Sequence, residues 1–223
     1  MTRAIVLVSG GLDSTVALYW AHKEYGGALA ALSFDYSQRH ARELLFAAYH
    51  CVKLHVPHRV IHLPWFSDFR SSALTNPELP VPHIRDVLGH PQPVTYVPFR
   101  NLLLLTIGAQ YAEEYGAEDV VYGAQLHDLY GYWDAAAEFV RRLNAVFELN
   151  RLARIRVVAP LAGNSKGDNV KLGLQLGVDF THTWSCYKGL EKHCGSCPTC
   201  AERRKAFVDA GVPDPTVYAD EGR

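Results

Sequence analysis

An apolar segment over residues 4–8 runs straight into a Ser/Gly turn and then into a helical pattern, with the string Val8-Ser9-Gly10-Gly11-Leu12-Asp13-Ser14-Thr15 at the junction. Two consecutive glycines permit positive φ and close backbone approach, so successive N–H groups and the N-terminus of the next helix can all be aimed at one anion. Serine hydroxyls on either side add donors, and Asp13 can hold Mg²⁺ or a water on that anion. A nucleotide pyrophosphate is the natural occupant, which makes Leu7, Val8, Ser9, Gly10, Gly11, Leu12, Asp13, Ser14 and Thr15 the candidate nucleotide-binding segment. An ordinary glycine-rich turn is the competing reading of the glycines taken alone. Neither G-x-x-x-x-G-K-S/T nor G-x-G-x-x-G occurs in the chain.

Strand and helix patterns then alternate. Strands are expected over 4–8, 28–34, 59–63, 119–122 and 156–158, and helices over 14–25, 41–54, 101–115 and 134–150. This succession predicts an α/β fold: a doubly wound, mostly parallel sheet with a Rossmann-like, adenine-nucleotide-binding core. In such sheets ligands sit at the carboxyl ends of the strands, so the loops after Val8, Phe34, Tyr122 and Val158 should meet at one cleft. Residues 63–98 hold seven of the twelve prolines and little periodicity; a loop of that length reads as a substrate-covering flap. The residues after Val217 read as a frayed tail.

With 223 residues and 48% apolar content, the chain can bury one substantial core. A net charge of −1 argues against a general nucleic-acid surface, which needs a clustered excess of Lys and Arg. A small-molecule substrate is the better default. The first strand begins without a basic leader, and no apolar run approaches the ~20 residues of a membrane helix, so a cytoplasmic protein with no membrane association is expected.

Four of the five cysteines fall at Cys186, Cys194, Cys197 and Cys200, spaced C-x7-C-x2-C-x2-C among turn-forming residues. Four thiolates make a closed tetrahedral zinc site with no position for water, so its role is to hold the chain. An iron–sulfur cluster uses the same donors, and a redox C-x-x-C is a third reading. The division expected is 1–182 for the nucleotide-binding domain and 183–223 for a small C-terminal zinc-binding segment. Cys51, on the second helix, is expected to be a buried inert thiol. The histidines, His40, His127 and His182 among them, are read as surface or satisfied core residues.

Ser9-Gly10-Gly11-x-Asp13-Ser14 after an N-terminal strand resembles the pyrophosphate loop of the ATP pyrophosphatases. Over nearly its full length the chain resembles the 7-cyano-7-deazaguanine synthase family within that superfamily. The resemblance rests on that loop, on Phe34-Asp35-Tyr36 with Gln38-Arg39-His40, on residues 72–75, and on Thr95-Tyr96-Val97-Pro98 with Arg100-Asn101. It continues through Pro160-Leu161 with Ser165-Lys166, residues 183–187, the last three cysteines of the cluster with Arg203, and Asp214-Pro215-Thr216 with Tyr218.

The resemblance implies a homodimeric ligase that binds MgATP and 7-carboxy-7-deazaguanine and activates the carboxylate as an acyl adenylate. Ammonia then attacks, and the amide formed is dehydrated to the nitrile. Asp13, Arg100 and Lys166 are the candidate catalytic residues, because cations must offset the charge that builds as pyrophosphate leaves. Arg100 and Asn101 have a plainer reading as the start of a helix with Asn101 as its N-cap. The substrate candidates are Asp35, Tyr36, Gln38, Arg39, Tyr96, Asn101, Tyr132 and Asp134, with Tyr36 offering a stacking plane.

The family's usual G-Y-P-D-C-R-P-E-F loop departs here to Gly131-Tyr132-Trp133-Asp134-Ala135-Ala136-Ala137-Glu138-Phe139. The alanines favour an earlier helix start, or the loss of an arginine changes the acid pocket. Transfer of a deazapurine acyl group to another amine, a thiolation enzyme, and a non-catalytic zinc-stabilised nucleotide-binding module are the alternatives that stay open.

Overall fold

The computed structural model of the chain describes residues 3–83, 85, 93–125 and 132–219. Its centre is a five-stranded parallel sheet in the order β3-β2-β1-β4-β5, made of β1 Ala4–Leu7, β2 Leu29–Asp35, β3 His58–His62, β4 Asp119–Tyr122 and β5 Arg156–Val158. The helices are α1 Leu12–Glu24, α2 Glu43–Lys53, α3 Arg100–Tyr115, α4 Ala137–Phe147, α5 Lys166–Gln175 and α6 Pro198–Ala210. The doubly wound α/β fold expected from the alternation is the fold observed.

Because successive strand residues face opposite sides, the central strands feed two cores at once. Ala4, Val6, Ala31 and Val121 pack under α1 and α2 with Val16, Leu18, Ala47 and Cys51. Ile5, Leu7, Leu32 and Val120 pack on the other side with Leu105 and Ala109 of α3 and Phe139 and Leu143 of α4. Each fully buried aliphatic side chain contributes roughly 1.5–3 kcal/mol, so both faces are firmly held. Burial pushes the Cys51 thiol up to about 12, which makes it the inert group expected.

β1 pairs with both β2 and β4, Leu7 standing opposite Leu32 on one side and Tyr122 on the other. The connections reverse direction at this strand, and a crevice opens beyond its carboxyl end.

Several boundaries differ from the sequence reading. The helix expected from residue 134 does not start early: Trp133–Ala135 form a single 3-10 turn, Ala136 is extended, and α4 begins at Ala137. Asn101 is not the N-cap of α3, since Phe99 occupies that place with φ 53°. Within the expected flap, Ser72, Ala73 and Leu74 are almost fully buried, and Ala73 donates its N–H to the Val94 carbonyl. This stretch is therefore wall, not lid; residues 84 and 86–92 of the same expectation lie outside the described residues. The expected tail is anchored through residue 219, because Tyr218 is buried, its hydroxyl donates to Asp214, and Ala219 donates to the His193 carbonyl.

His50 illustrates a satisfied core histidine. Nε2 donates to the His182 carbonyl at 2.8 Å, which leaves Nδ1 to accept from the Tyr19 hydroxyl at 3.0 Å. Acceptance at Nδ1 requires the neutral ring, and burial, against the pull of the His182 carbonyl, pushes its pKa down to about 4. The unfolded chain takes up that proton nearer 6.5, so stability is fully present above that value and lost as pH falls toward 4. Urea titrations should show less stability at pH 5 than at pH 7, and in His50→Gln this acid-dependent loss should shrink by about 1–2 kcal/mol.

Candidate functional site

Gly10 carries the crevice. At φ 91° it adopts a backbone conformation that a side chain strains, and a Cβ there would stand 2.0 Å from the Glu43 carbonyl oxygen and 2.8 Å from the Ala47 nitrogen. Only a glycine lets the turn sit this close on the first turn of α2. Gly123 does the same on the other side, where a Cβ would meet the Ser14 backbone at 2.8 Å. The turn is braced internally by Ser9 Oγ, which lies 3.0 Å from Ser14 Oγ and accepts the Gly11 N–H at 3.2 Å. No side chain caps α1, whose N-cap is Gly11, so the first N–H groups of the helix are available to an anion.

A cleft of about 870 Å³ begins at this turn and is walled by residues from every strand end but one edge. Leu7, Val8, Ser9, Gly11, Leu12, Asp13 and Ser14 line it, with Tyr36, Arg100, Asn101, Tyr132 and Lys166 of the other candidates. Gly10 shapes the turn from behind. Thr15 is buried in α1, away from the cleft lining, and its hydroxyl has no hydrogen-bond partner among the described residues.

Arg100 reaches the middle of the cleft, donating to the Tyr36 hydroxyl at 3.1 Å with its guanidinium over the same ring. Asp13 is oriented from across the fold by Asn169 of α5, whose amide donates to Oδ1 at 2.8 Å. Lys166 stands at the first position of α5 in an ion pair with Glu202 of α6, so its charge is already matched.

Five candidates act behind the cleft surface. Asp134 is buried and accepts the Asn101 N–H at 3.3 Å, filling the role of a cap for α3; burial raises its pKa against the pull of Arg100. Gln38 is a buried brace that accepts from the Tyr36 N–H and donates to the Phe34 carbonyl. Arg39 holds the Asn76 carbonyl, Tyr96 receives hydrogen bonds from Trp133 and Phe99, and Asp35 pairs with His62.

Three residues of the site had gone unremarked or been read differently. Asn169 carries no motif signal, since its partner is 156 residues away. Glu43 looks like a helix-start acid, yet it is buried in the cleft wall. His40 departs from the expectation of a surface or satisfied core histidine, because its Nδ1 is buried without a hydrogen-bond partner among the described residues. His182 is a surface residue paired with Asp179, and His127 lies outside the described residues.

Cys186, Cys194, Cys197 and Cys200 are all buried, with sulfurs within 4.8 Å of one another. The Cys194 and Cys200 sulfurs are 3.9 Å apart, close to the ~3.8 Å edge of a tetrahedron with 2.3 Å metal–sulfur bonds. Backbone N–H groups of Lys188 and Cys194 point at the Cys186 sulfur, and that of Cys197 at the Cys194 sulfur, as thiolate ligands require. The donor set fits a metal. Arg203 of α6 ties this segment to the main body: fully buried, it pairs with Asp214 and donates to Thr183 Oγ1 and the Phe180 carbonyl.

The profile of the family described as "Queuosine biosynthesis protein QueC" matches residues 3–211. This chain belongs to that family. Among curated QueC relatives, a "7-cyano-7-deazaguanine synthase" of Caldicellulosiruptor bescii is 41% identical over 98% of both chains. Another of that name, from Methanoregula boonei, is 38% identical over 97% of this chain and 99% of its own. Solved structures share the fold at low identity. An NMN synthetase from Francisella tularensis matches with TM-score 0.50 and 16% identity over 97% of this chain and 79% of its own. A U34-tRNA thiolase from Methanococcus maripaludis, solved with its [4Fe-4S] cluster, matches with TM-score 0.50 and 14% identity over 80% and 57%. QueC membership makes the chain an enzyme of queuosine biosynthesis.

If the Gly10 approach holds the nucleotide turn, Gly10→Ala should cost about 2–4 kcal/mol of stability and abolish ATP binding in the molecules that remain folded. Calorimetric titration with ATP alongside thermal unfolding checks this; wild-type affinity and wild-type melting together would contradict it.

Proposed function

We propose that the enzyme converts 7-carboxy-7-deazaguanine, with ATP and ammonia, into 7-cyano-7-deazaguanine. The observation that carries this reading is the single cleft in which the uncapped start of α1 and its serine turn share walls with Arg100 and the ring of Tyr36. A carboxylate cannot accept ammonia until one of its oxygens becomes a leaving group. Attack of that oxygen on the α-phosphorus of ATP expels pyrophosphate and gives the acyl adenylate. Ammonia then adds to the acyl carbon, AMP leaves, and the amide remains; adenylylation of the amide oxygen by a second ATP and loss of AMP and protons give the nitrile.

In this scheme residues 8–14 cradle the pyrophosphate through backbone N–H groups and serine hydroxyls. Asp13, oriented by Asn169, holds the Mg²⁺ that accompanies ATP. Arg100 offsets the charge on the acyl oxygen, and Tyr36 with Tyr132 flanks the deazapurine. Lys166 acts through its Glu202 pair, available to phosphate when that pair opens. Of the replaced positions in the 131–139 loop, only Ala135 lines the cleft; Trp133, Ala136 and Ala137 do not, which favours an unchanged substrate. We further propose that residues 1–182 form the nucleotide-binding domain, with 183–223 a segment held by zinc, in a cytoplasmic homodimer.

Incubation with ATP and 7-carboxy-7-deazaguanine should yield AMP, and adding ammonium should yield the amide at short times and the nitrile at long times, followed by mass spectrometry. Release of AMP only with a different acid or an amine-bearing partner would overturn the assignment. Elemental analysis of protein purified without added metal should find one zinc per chain, and chelation should lower the unfolding temperature more than it slows the enzyme still folded. Stoichiometric iron with a visible absorption band would replace zinc by an iron–sulfur cluster.

A further inference from the structure

A small niche lies in the cleft wall between the nucleotide turn and Arg100. Glu43 opens α2 directly against Gly10, so its side chain enters the wall beside the place proposed for the pyrophosphate. Its Oε1 lies 3.4 Å from Gln38 Nε2 and 3.4 Å from His40 Nε2. The Gln38 amide has only one workable orientation, because its oxygen accepts from the Tyr36 N–H and its nitrogen donates to the Phe34 carbonyl. Glu43 Oε1 is therefore an acceptor and stands beside His40 Nε2; with the ring proton on the nitrogen next to that carboxyl, His40 Nδ1 keeps a lone pair. That Nδ1 is buried with no hydrogen-bond partner among the described residues, although His40 is only 5% exposed and lines the cleft. The second carboxyl oxygen, Glu43 Oε2, takes no hydrogen bond from any described residue. A buried acceptor without a donor, His40 Nδ1, beside a carboxyl oxygen that no described residue binds, calls for a small occupant rich in N–H groups.

Resting on the functional reading above, we propose that Glu43, braced by Gln38 and with His40 beside it, binds the incoming ammonium and removes its proton. Ammonium, the dominant form at neutral pH, has no lone pair and cannot attack. One N–H bond breaks, its proton passes to Glu43 Oε2, and the nitrogen keeps the electron pair. As that pair forms the C–N bond the acyl C–O bond to AMP breaks, and the surplus proton on nitrogen leaves to solvent. His40 Nδ1 accepts a second N–H and so orients the lone pair.

The surroundings suit the task. Burial pushes the Glu43 carboxyl up to about 8, partly offset by Gln38 and Arg100. Its proton affinity thus approaches that of an amine, where an exposed glutamate is far too weak a base. Burial, with Arg100 adding to it, pushes His40 down to about 3, so His40 stays neutral and accepts hydrogen bonds without competing for the proton. Tyr36 and Arg100 from one side and Tyr187, whose ring lies against His40, from the other also face the niche. A hard divalent cation is a poorer match, since it prefers several oxygen ligands and the niche offers one free carboxyl oxygen beside an imidazole.

The test compares wild type with Glu43→Gln and His40→Asn. Acid-dependent exchange of labelled pyrophosphate into ATP, which precedes the entry of ammonia and also reports a folded site, should stay within about twofold in both variants. Ammonium-dependent turnover of Glu43→Gln at neutral pH should fall about 10²-fold, the usual worth of a positioned base. The deficit should narrow at alkaline pH, where free ammonia is abundant, and largely vanish with hydroxylamine, which is already neutral at pH 7. His40→Asn should raise the KM for ammonium more than it lowers kcat. Exchange lost in parallel with turnover, or an equal deficit with hydroxylamine, would overturn the assignment. Absence of acid-dependent exchange in the wild type would instead sink the functional reading, and the assignment with it.

Discussion

Gly10 is the position on which three parts of the molecule meet. Its missing side chain lets the turn rest on the first residues of α2, and its carbonyl accepts the N–H of Trp184 at 2.8 Å. The turn, the acid at the start of α2 and the C-terminal segment are thereby fixed relative to one another by one residue. A methyl group at that point would separate all three. The uncapped start of α1 and the strand ends around it are useful to a ligand because this contact places them against walls contributed from elsewhere in the chain.

The cysteine segment extends the same logic. Four buried cysteines, a donor set that fits one metal, gather the loop, and the loop is joined to the body by Arg203, whose buried guanidinium bonds Asp214, Thr183 and the Phe180 carbonyl. A buried cation of this kind is retained because removing either partner leaves a charge stranded, at about 3–5 kcal/mol. Trp184, stacked on Phe46 of α2, completes the seam. The cysteine cluster, the arginine and the tryptophan together carry Trp184 and Ser185 to the cleft wall.

The alternation of apolar strands with helices was legible because parallel strands buried on both faces are nearly continuous apolar runs, and because local period and turn chemistry decide them. Strand ends agreed within about a residue for this reason. The serine-glycine turn was legible since its function lies in backbone that only glycine permits. What escaped was whatever depends on a distant partner. Asp134 reads as a pocket acid, yet it turns inward to cap α3; Gln38 and Arg39 stand next to Tyr36 in the chain but brace the wall from behind. Glu43 was missed because a glutamate at a helix start is ordinarily solvated, and its burial comes from Gly10 and from the loop before α2.

The hydrogen bond from Asn169 to Asp13 spans 156 residues of sequence. The serine-glycine turn lies at one end of that span, and Asp13 gains its orienting partner only when α5 has formed and docked against α1. Closing so long a loop carries an entropic cost that local contacts cannot offset, and such contacts form late in folding. A chain cut before α5 thus keeps the strand, the glycines and the helix, while Asp13 lacks the group that aims it.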